Sequence, residues 1–170
     1  RAGCFMPWYV AHTKPRQERV AEENLARQGY AVYLPRLKVL KSLRNRQQLG
    51  FEALFPRYIF FQPGHAEQSI APVRSTHGVT AIVRFGWVPA VLRPATLQSI
   101  RDFERRQHAA DYAELSALQP GKTVLVTNGP LAGLQGMVAM VSRLRVIVLM
   151  RLLGDQTQVS LNPRQLRLAA

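Results

Sequence analysis

Cysteine is all but absent: Cys4 is the single one in 170 residues. A lone cysteine cannot close an internal disulfide or build a Cys-based zinc site. The disulfide-stapled secreted class and the zinc-finger class are therefore excluded. Histidine is sparse too, and His12, His65, His77 and His108 show no metal-ligand spacing. Long apolar runs are missing; none approaches the roughly 18 residues of a membrane span. Residues 1–6 are too short for a signal peptide, and Met6 reads as the natural start. Acidic residues are scarce, 10 Asp+Glu against 23 Lys+Arg, for a formal net charge of +13. What is present is 47% hydrophobic, a globular fraction that excludes wholesale disorder. The expectation is a soluble cytoplasmic protein whose charge suits a polyanion, most often nucleic acid. Charge that serves only solubility is the plainer alternative.

The charge is uneven. Residues 1–106 hold 17 Lys/Arg and 7 Asp/Glu, net +10, whereas residues 107–170 hold 6 and 3, net +3. Strand patterns fall at residues 8–12, 30–34, 57–62 and 79–85. Thr13 could cap a helix with Pro15 in its first turn. That helix would turn Val20, Ala21, Asn24, Leu25 and Gln28 to one face and stop at Gly29. Lys38, Lys41, Arg44 and Arg46 decorate a basic hairpin or loop. Pro94 opens a helix with Leu97, Ile100 and Phe103 inward. The order predicts an α+β sandwich of ferredoxin-like, split βαβ type over residues 6–106. Residues 107–118 read as a linker. In 119–170, short β-type runs at 122–127, 137–142, 145–151 and 156–161 suggest a small barrel.

The chain carries few patterns that suggest catalysis. Gly121-Lys122-Thr123 invites a phosphate-loop reading. However, position 116 is Ser where that motif needs Gly, and a strand, not a helix, follows. Glu22-Glu23 and Asp102/Glu104 read as solvated helix faces, and there is no nucleophile elbow. The sequence predicts no enzyme, no cofactor and no metal.

Two stretches carry a resemblance. Pro120-Gly121-Lys122-Thr123-Val124-Leu125-Val126, continuing through Gly129-Pro130-Leu131-Ala132-Gly133-Leu134-Gln135-Gly136, resembles the KOW motif. Trp8-Tyr9-Val10, Thr13-Lys14-Pro15-Arg16-Gln17-Glu18, Leu54-Phe55-Pro56-Arg57-Tyr58-Ile59-Phe60, Gly78-Val79 and Val83-Arg84-Phe85-Gly86 resemble the NusG N-terminal domain. Within that family the Val-Arg-Phe-Gly string with Pro89-Ala90 is most similar to the specialised RfaH-type elongation factors. The resemblance implies an operon-specific antitermination factor of elongating bacterial RNA polymerase. Such a factor binds the clamp helices of the largest subunit and an element in the non-template DNA strand. It suppresses pausing and termination, and its C-terminal domain can contact a small-subunit ribosomal protein. A monomer without membrane partners, nucleoid-associated during transcription, is expected. A general NusG-like factor without sequence preference and a ribosome-associated KOW protein are the alternatives.

The same resemblance implies residue roles. Phe55, Tyr58, Phe60 and Phe85 match the polymerase-contacting surface, with Tyr58 and Phe60 expected on an exposed side; plain core is the alternative. Lys14, Gln17, Asn24, Thr76 and His77 match DNA-reading positions, and Arg16 adds a phosphate contact. Here the group commonly has His at the Asn24 position and Arg at the His77 position, so the preferred DNA could differ. A solvated basic face is the alternative. The group's gate-loop triplet aligns with Ser69-Ile70-Ala71 and is not matched. Glu52 and Arg145 match an interdomain salt bridge that locks a closed state. In that state the C-terminal domain is an α-helical hairpin rather than a β-barrel, and it masks the polymerase site. From 131 to 153 the residues permit either form.

Overall fold

The computed structural model describes residues 6–109 and 142–155. These fall into two compact units. The first comprises residues up to 34 together with 56–94 and is built on a five-stranded sheet. Its strands are β1 (Trp8–Thr13), β2 (Ala31–Tyr33), β5 (Tyr58–Gln62), β6 (Val79–Ile82) and β9 (Val91–Leu92). The order is β2-β5-β1-β6, with β9 also on β1. β1 pairs antiparallel with β5 through Tyr9↔Phe61, Val10↔Phe60, Ala11↔Ile59 and His12↔Tyr58. Val10 and Ala11 are both fully buried, as are Ile59, Phe60 and Phe61. Successive strand residues point to opposite faces, so both faces of these central strands are covered.

Helix α1 (Glu18–Arg27) turns Ala21 and Leu25 into this core. It begins later than the sequence suggests. Thr13 stays in β1 and its hydroxyl donates to Lys14 O, so it does not cap the helix. Residues 14–17 instead form a turn in which Arg16 takes a left-handed backbone (φ 60°), and Gln17 occupies the cap position. The strand expected over 79–85 is also broken. Val83 N–H donates to Val10 O, and then the chain leaves the sheet. Its next residues form a small hairpin of β7 (Arg84–Phe85) and β8 (Val88–Pro89).

The second unit holds residues 35–55 and the part from Ala95 onward. β3 (Arg36–Leu43) and β4 (Arg46–Ala53) form a regular hairpin. Arg44 and Asn45 both have positive φ, 50° and 65°, the two-residue turn whose twist suits a hairpin. Helix α2 (Pro94–His108) buries Leu97, Ile100 and Phe103, as its spacing predicts. Its C-terminal turn then serves β3 as a substitute strand. The Gln107 amide accepts from Lys38 N–H at 2.7 Å and donates to Lys38 O at 2.6 Å. Glu104 accepts from Arg36 N–H at 2.6 Å. Side chains thus satisfy a strand edge that would otherwise present bare backbone groups.

Helix α3 (Ser142–Asp155) takes the helical of the two forms expected for this segment, in place of the β-type run at 145–151. Arg145, Val148, Leu149 and Leu152 are buried at helical spacing, and Arg151 and Leu153 are buried as well. The strands expected at 122–127 and 156–161, and most of that at 137–142, lie outside the described residues, as does most of the expected linker.

Candidate functional site

The DNA-reading positions expected from the sequence all lie in the first unit, on α1, the turn that leads into it and the turn before β6. A short 3-10 segment (Ala71–Ser75) leads into this turn. Three contacts hold the turn to the helix. Lys14 N–H donates to Gly78 O at 2.9 Å. Gln28 Nε2 donates to Thr76 Oγ1 at 2.8 Å. Gly78 itself, with φ +91°, lies directly against the helix backbone. Gln17, Ala21, Asn24 and Gln28 recur at helical spacing, so one stripe of α1 faces the turn.

The side chains differ in what they offer. Lys14, Arg16 and His77 are exposed, and so is Arg74 in the adjoining segment. Together they are four cationic or titratable groups on a rigid platform, the arrangement that positions phosphates. Asn24 spends its Nδ2 donor on Val20 O at 2.7 Å. Gln17 carries a buried Oε1 with no hydrogen-bond partner among the described residues. An orphaned acceptor gains free energy by turning to any donor, a base amino group included. Thr76 is the exception. It is buried, its hydroxyl donates to Pro72 O and accepts from Gln28. The geometry makes it an internal brace of the turn, with its only O–H already spent.

Gln28 and Gly78 were not singled out from the sequence as site residues, though Gln28 fell on the inner helical stripe. Only the fold shows that each fixes the turn. A Cβ on Gly78 would lie 2.8 Å from Ala21 N and 3.2 Å from Gln17 O. Gly78→Ala is therefore expected to lose roughly 1–2 kcal/mol to the left-handed backbone alone. Overpacking against the helix adds about 1–3 kcal/mol. Urea denaturation checks this, and an unchanged midpoint would contradict the close approach.

At the N-terminal end of α1, Glu18 accepts from Arg57 N–H at 3.0 Å and Arg57 Nε donates to Thr13 O. His12 stacks on Tyr58 with ring centroids 4.9 Å apart. Burial, and then the Arg57 charge, hold its pKa below the ordinary value.

The aromatic residues expected to meet polymerase divide. Tyr58 and Phe85 are partly exposed. Phe55 and Phe60 are not, at 1% and 0%. This corrects the expectation that Phe60 shares an exposed side with Tyr58. Phe60 lies mid-strand, paired with Val10 on one side and Tyr33 on the other. Its ring centroid is 6.1 Å from that of Tyr33. Tyr58, at the strand end, escapes this enclosure.

In the second unit the structure brings Glu52 and Arg145 together. Arg145 Nη2 donates to Glu52 Oε1 at 2.8 Å, with side-chain exposures of 3% for Arg145 and 39% for Glu52. Arg145 Nε also donates to Leu54 O at 2.8 Å, and Ser142 Oγ lies 3.4 Å from Nη2. One guanidinium thus reads a carboxylate and a backbone carbonyl of the β4 end, the multi-donor geometry at which arginine excels. A second buried arginine on α3 is different. Arg151 is 6% exposed, and its Nη1 and Nη2 have no hydrogen-bond partner among the described residues.

Among the described residues no group of three His, Cys, Asp or Glu comes together to hold a metal. Nor is any described helix long and apolar enough to cross a membrane.

Comparison with known proteins fits this architecture. The family described as "Transcription termination factor nusG" matches residues 6–101, and the KOW motif matches residues 120–151. A relative from Deinococcus radiodurans, named transcription termination/antitermination protein NusG, is 28% identical over 180 residues. The match covers 91% of this chain and 95% of the relative. A protein of the same name from Staphylococcus aureus strain Mu50 is 23% identical, covering 89% and 90%. A solved structure titled "Domain interaction in Thermotoga maritima NusG" aligns with a TM-score of 0.41 at 18% identity, covering 76% of each chain. With more than half of its length matched by that one family, this chain belongs to the NusG family of transcription termination/antitermination factors.

Proposed function

We propose that this chain is an operon-specific member of the family, recruited to elongating RNA polymerase by an element in the non-template DNA strand. NusG-family factors bind RNA polymerase and are regulators rather than catalysts. The finer reading rests on one observation above others. A helix, Ser142–Asp155, occupies part of the segment that the KOW motif matches, and Glu52 grips it through Arg145. A permanent barrel would have strands there. A helical form held by an ion pair is what a factor with a closed, DNA-released state requires.

In this reading Lys14, Arg16 and His77 contact the displaced strand, with Gln17 and Asn24 supplying polar reading groups. Thr76, Gln28 and Gly78 hold the turn in place. Phe55, Tyr58, Phe60 and Phe85 belong to the polymerase surface, Tyr58 and Phe85 as its partly exposed members and Phe55 and Phe60 as buried packing. The released C-terminal part then takes the barrel form and contacts a small-subunit ribosomal protein.

The deciding experiment uses polymerase elongation complexes with varied non-template sequences. Recruitment and pause suppression should depend on that sequence. Lys14→Ala should abolish most of the preference and lower the salt slope of binding by about one. Equal recruitment on every sequence would instead support a general factor, the reading that the relatives' name carries by itself.

A further inference from the structure

The hairpin of β7 and β8 ends in the most exposed large apolar residue of the described structure. Trp87 is 95% exposed and its neighbour Val88 is 63% exposed. This exposure is built in rather than accidental. Gly86, with φ +62°, takes the first place of a two-residue turn, where positive φ is required. A Cβ there would meet nothing within 4 Å, so backbone conformation alone calls for glycine. Arg84 Nη1 donates to Trp87 O at 3.3 Å, fixing the tip from the base of the hairpin. Phe85 pairs with Val88 across it.

The hairpin's own charge specifies the partner's. Residues 84–89 hold no Asp or Glu, and Arg84 at the base is exposed and bonded to the tip. Tryptophan and arginine are the residues most enriched at interface hot spots. A convex apolar tip beside a cation fits an apolar pocket rimmed by carboxylates. Val88 argues for protein rather than nucleic acid, since its branched apolar side chain offers a base neither stacking face nor hydrogen bond.

We infer that the Trp87–Val88 tip is a docking anchor that inserts into an apolar, acid-rimmed pocket on RNA polymerase. It extends the surface that includes Phe85, and it rests on the family's binding of polymerase, not on any DNA preference. It also lies apart from the DNA platform, which is at the opposite end of β6.

The test uses the full chain on assembled elongation complexes. Trp87→Ala should keep its melting temperature, because the side chain buries almost nothing in the free protein. It should bind the complexes about thirtyfold more weakly, and Trp87→Phe should recover most of that loss. A photo-crosslinking residue at position 87 should label a polymerase subunit. Undiminished binding by Trp87→Ala overturns the inference, as does a crosslink to DNA or to nothing. If the unsubstituted protein fails to bind any elongation complex, the polymerase reading itself falls, a result distinct from either.

Discussion

Glu52→Ala is expected to release helix α3 and make polymerase recruitment independent of DNA sequence. Arg145 is almost wholly buried, and its Nη2 pairs with Glu52 Oε1 at 2.8 Å. Removing Glu52 takes away that carboxylate and leaves the guanidinium's bonds to the Leu54 and Ala53 carbonyls and the Ser142 hydroxyl in place. Hydrogen bonds to charged groups contribute about 1.5–3 kcal/mol net. Glu52 is part-exposed, which places the loss toward the lower end, about 2 kcal/mol. That shifts a two-state balance roughly thirtyfold. If the helical and barrel forms are within that margin, the barrel becomes the major species. Carbon chemical shifts of residues 142–155 report the change directly. Unchanged helical shifts, together with recruitment still dependent on DNA sequence, would refute the locking role.

Arg151→Leu is expected to do the opposite. The Arg151 guanidinium is buried on α3 with both terminal nitrogens unpaired among the described residues. A guanidinium that leaves water without an acceptor costs about 1–3 kcal/mol or more. Leucine matches arginine in helix propensity, so the substitution removes the penalty and leaves the helix intact. Amide exchange over 142–155 should slow by at least tenfold. Element-dependent recruitment should fall, because the closed form becomes harder to open. Faster exchange would show that Arg151 supports the helix after all. The two substitutions are thus expected to shift the balance in opposite directions, Glu52→Ala through the pair that Arg145 makes and Arg151→Leu through a guanidinium whose terminal nitrogens lack a partner among the described residues.

Several features of both units are legible in the residues. The Trp8 strand, the amphipathic α1 stripe ending before Gly29 and the inward spacing of Leu97, Ile100 and Phe103 all follow from local periodicity. Local reasoning failed where a distant partner decides. Thr13 has the chemistry of a helix cap, yet β1 pairs with β6 through it and keeps it in the sheet. Phe60 alternates with Ile59 as a surface residue would, but strands on both sides and covered faces bury it. Thr76 is a polar residue in a turn, and Gln28, 48 positions away, makes it an interior brace.

The amino-acid sequence by itself determined the family, the basic character of the first 106 residues and the α+β class. Those depend on composition and on patterns within a few residues of one another. The tertiary structure alone decided that residues 142–155 are helical. Val146, Ile147 and Val148 favour a strand, while Leu149, Met150, Arg151, Leu152 and Leu153 favour a helix. Their local preferences nearly cancel. Local preference then leaves the form open to distant contacts, and the helix bonds through Arg145 to Glu52, more than 90 positions away.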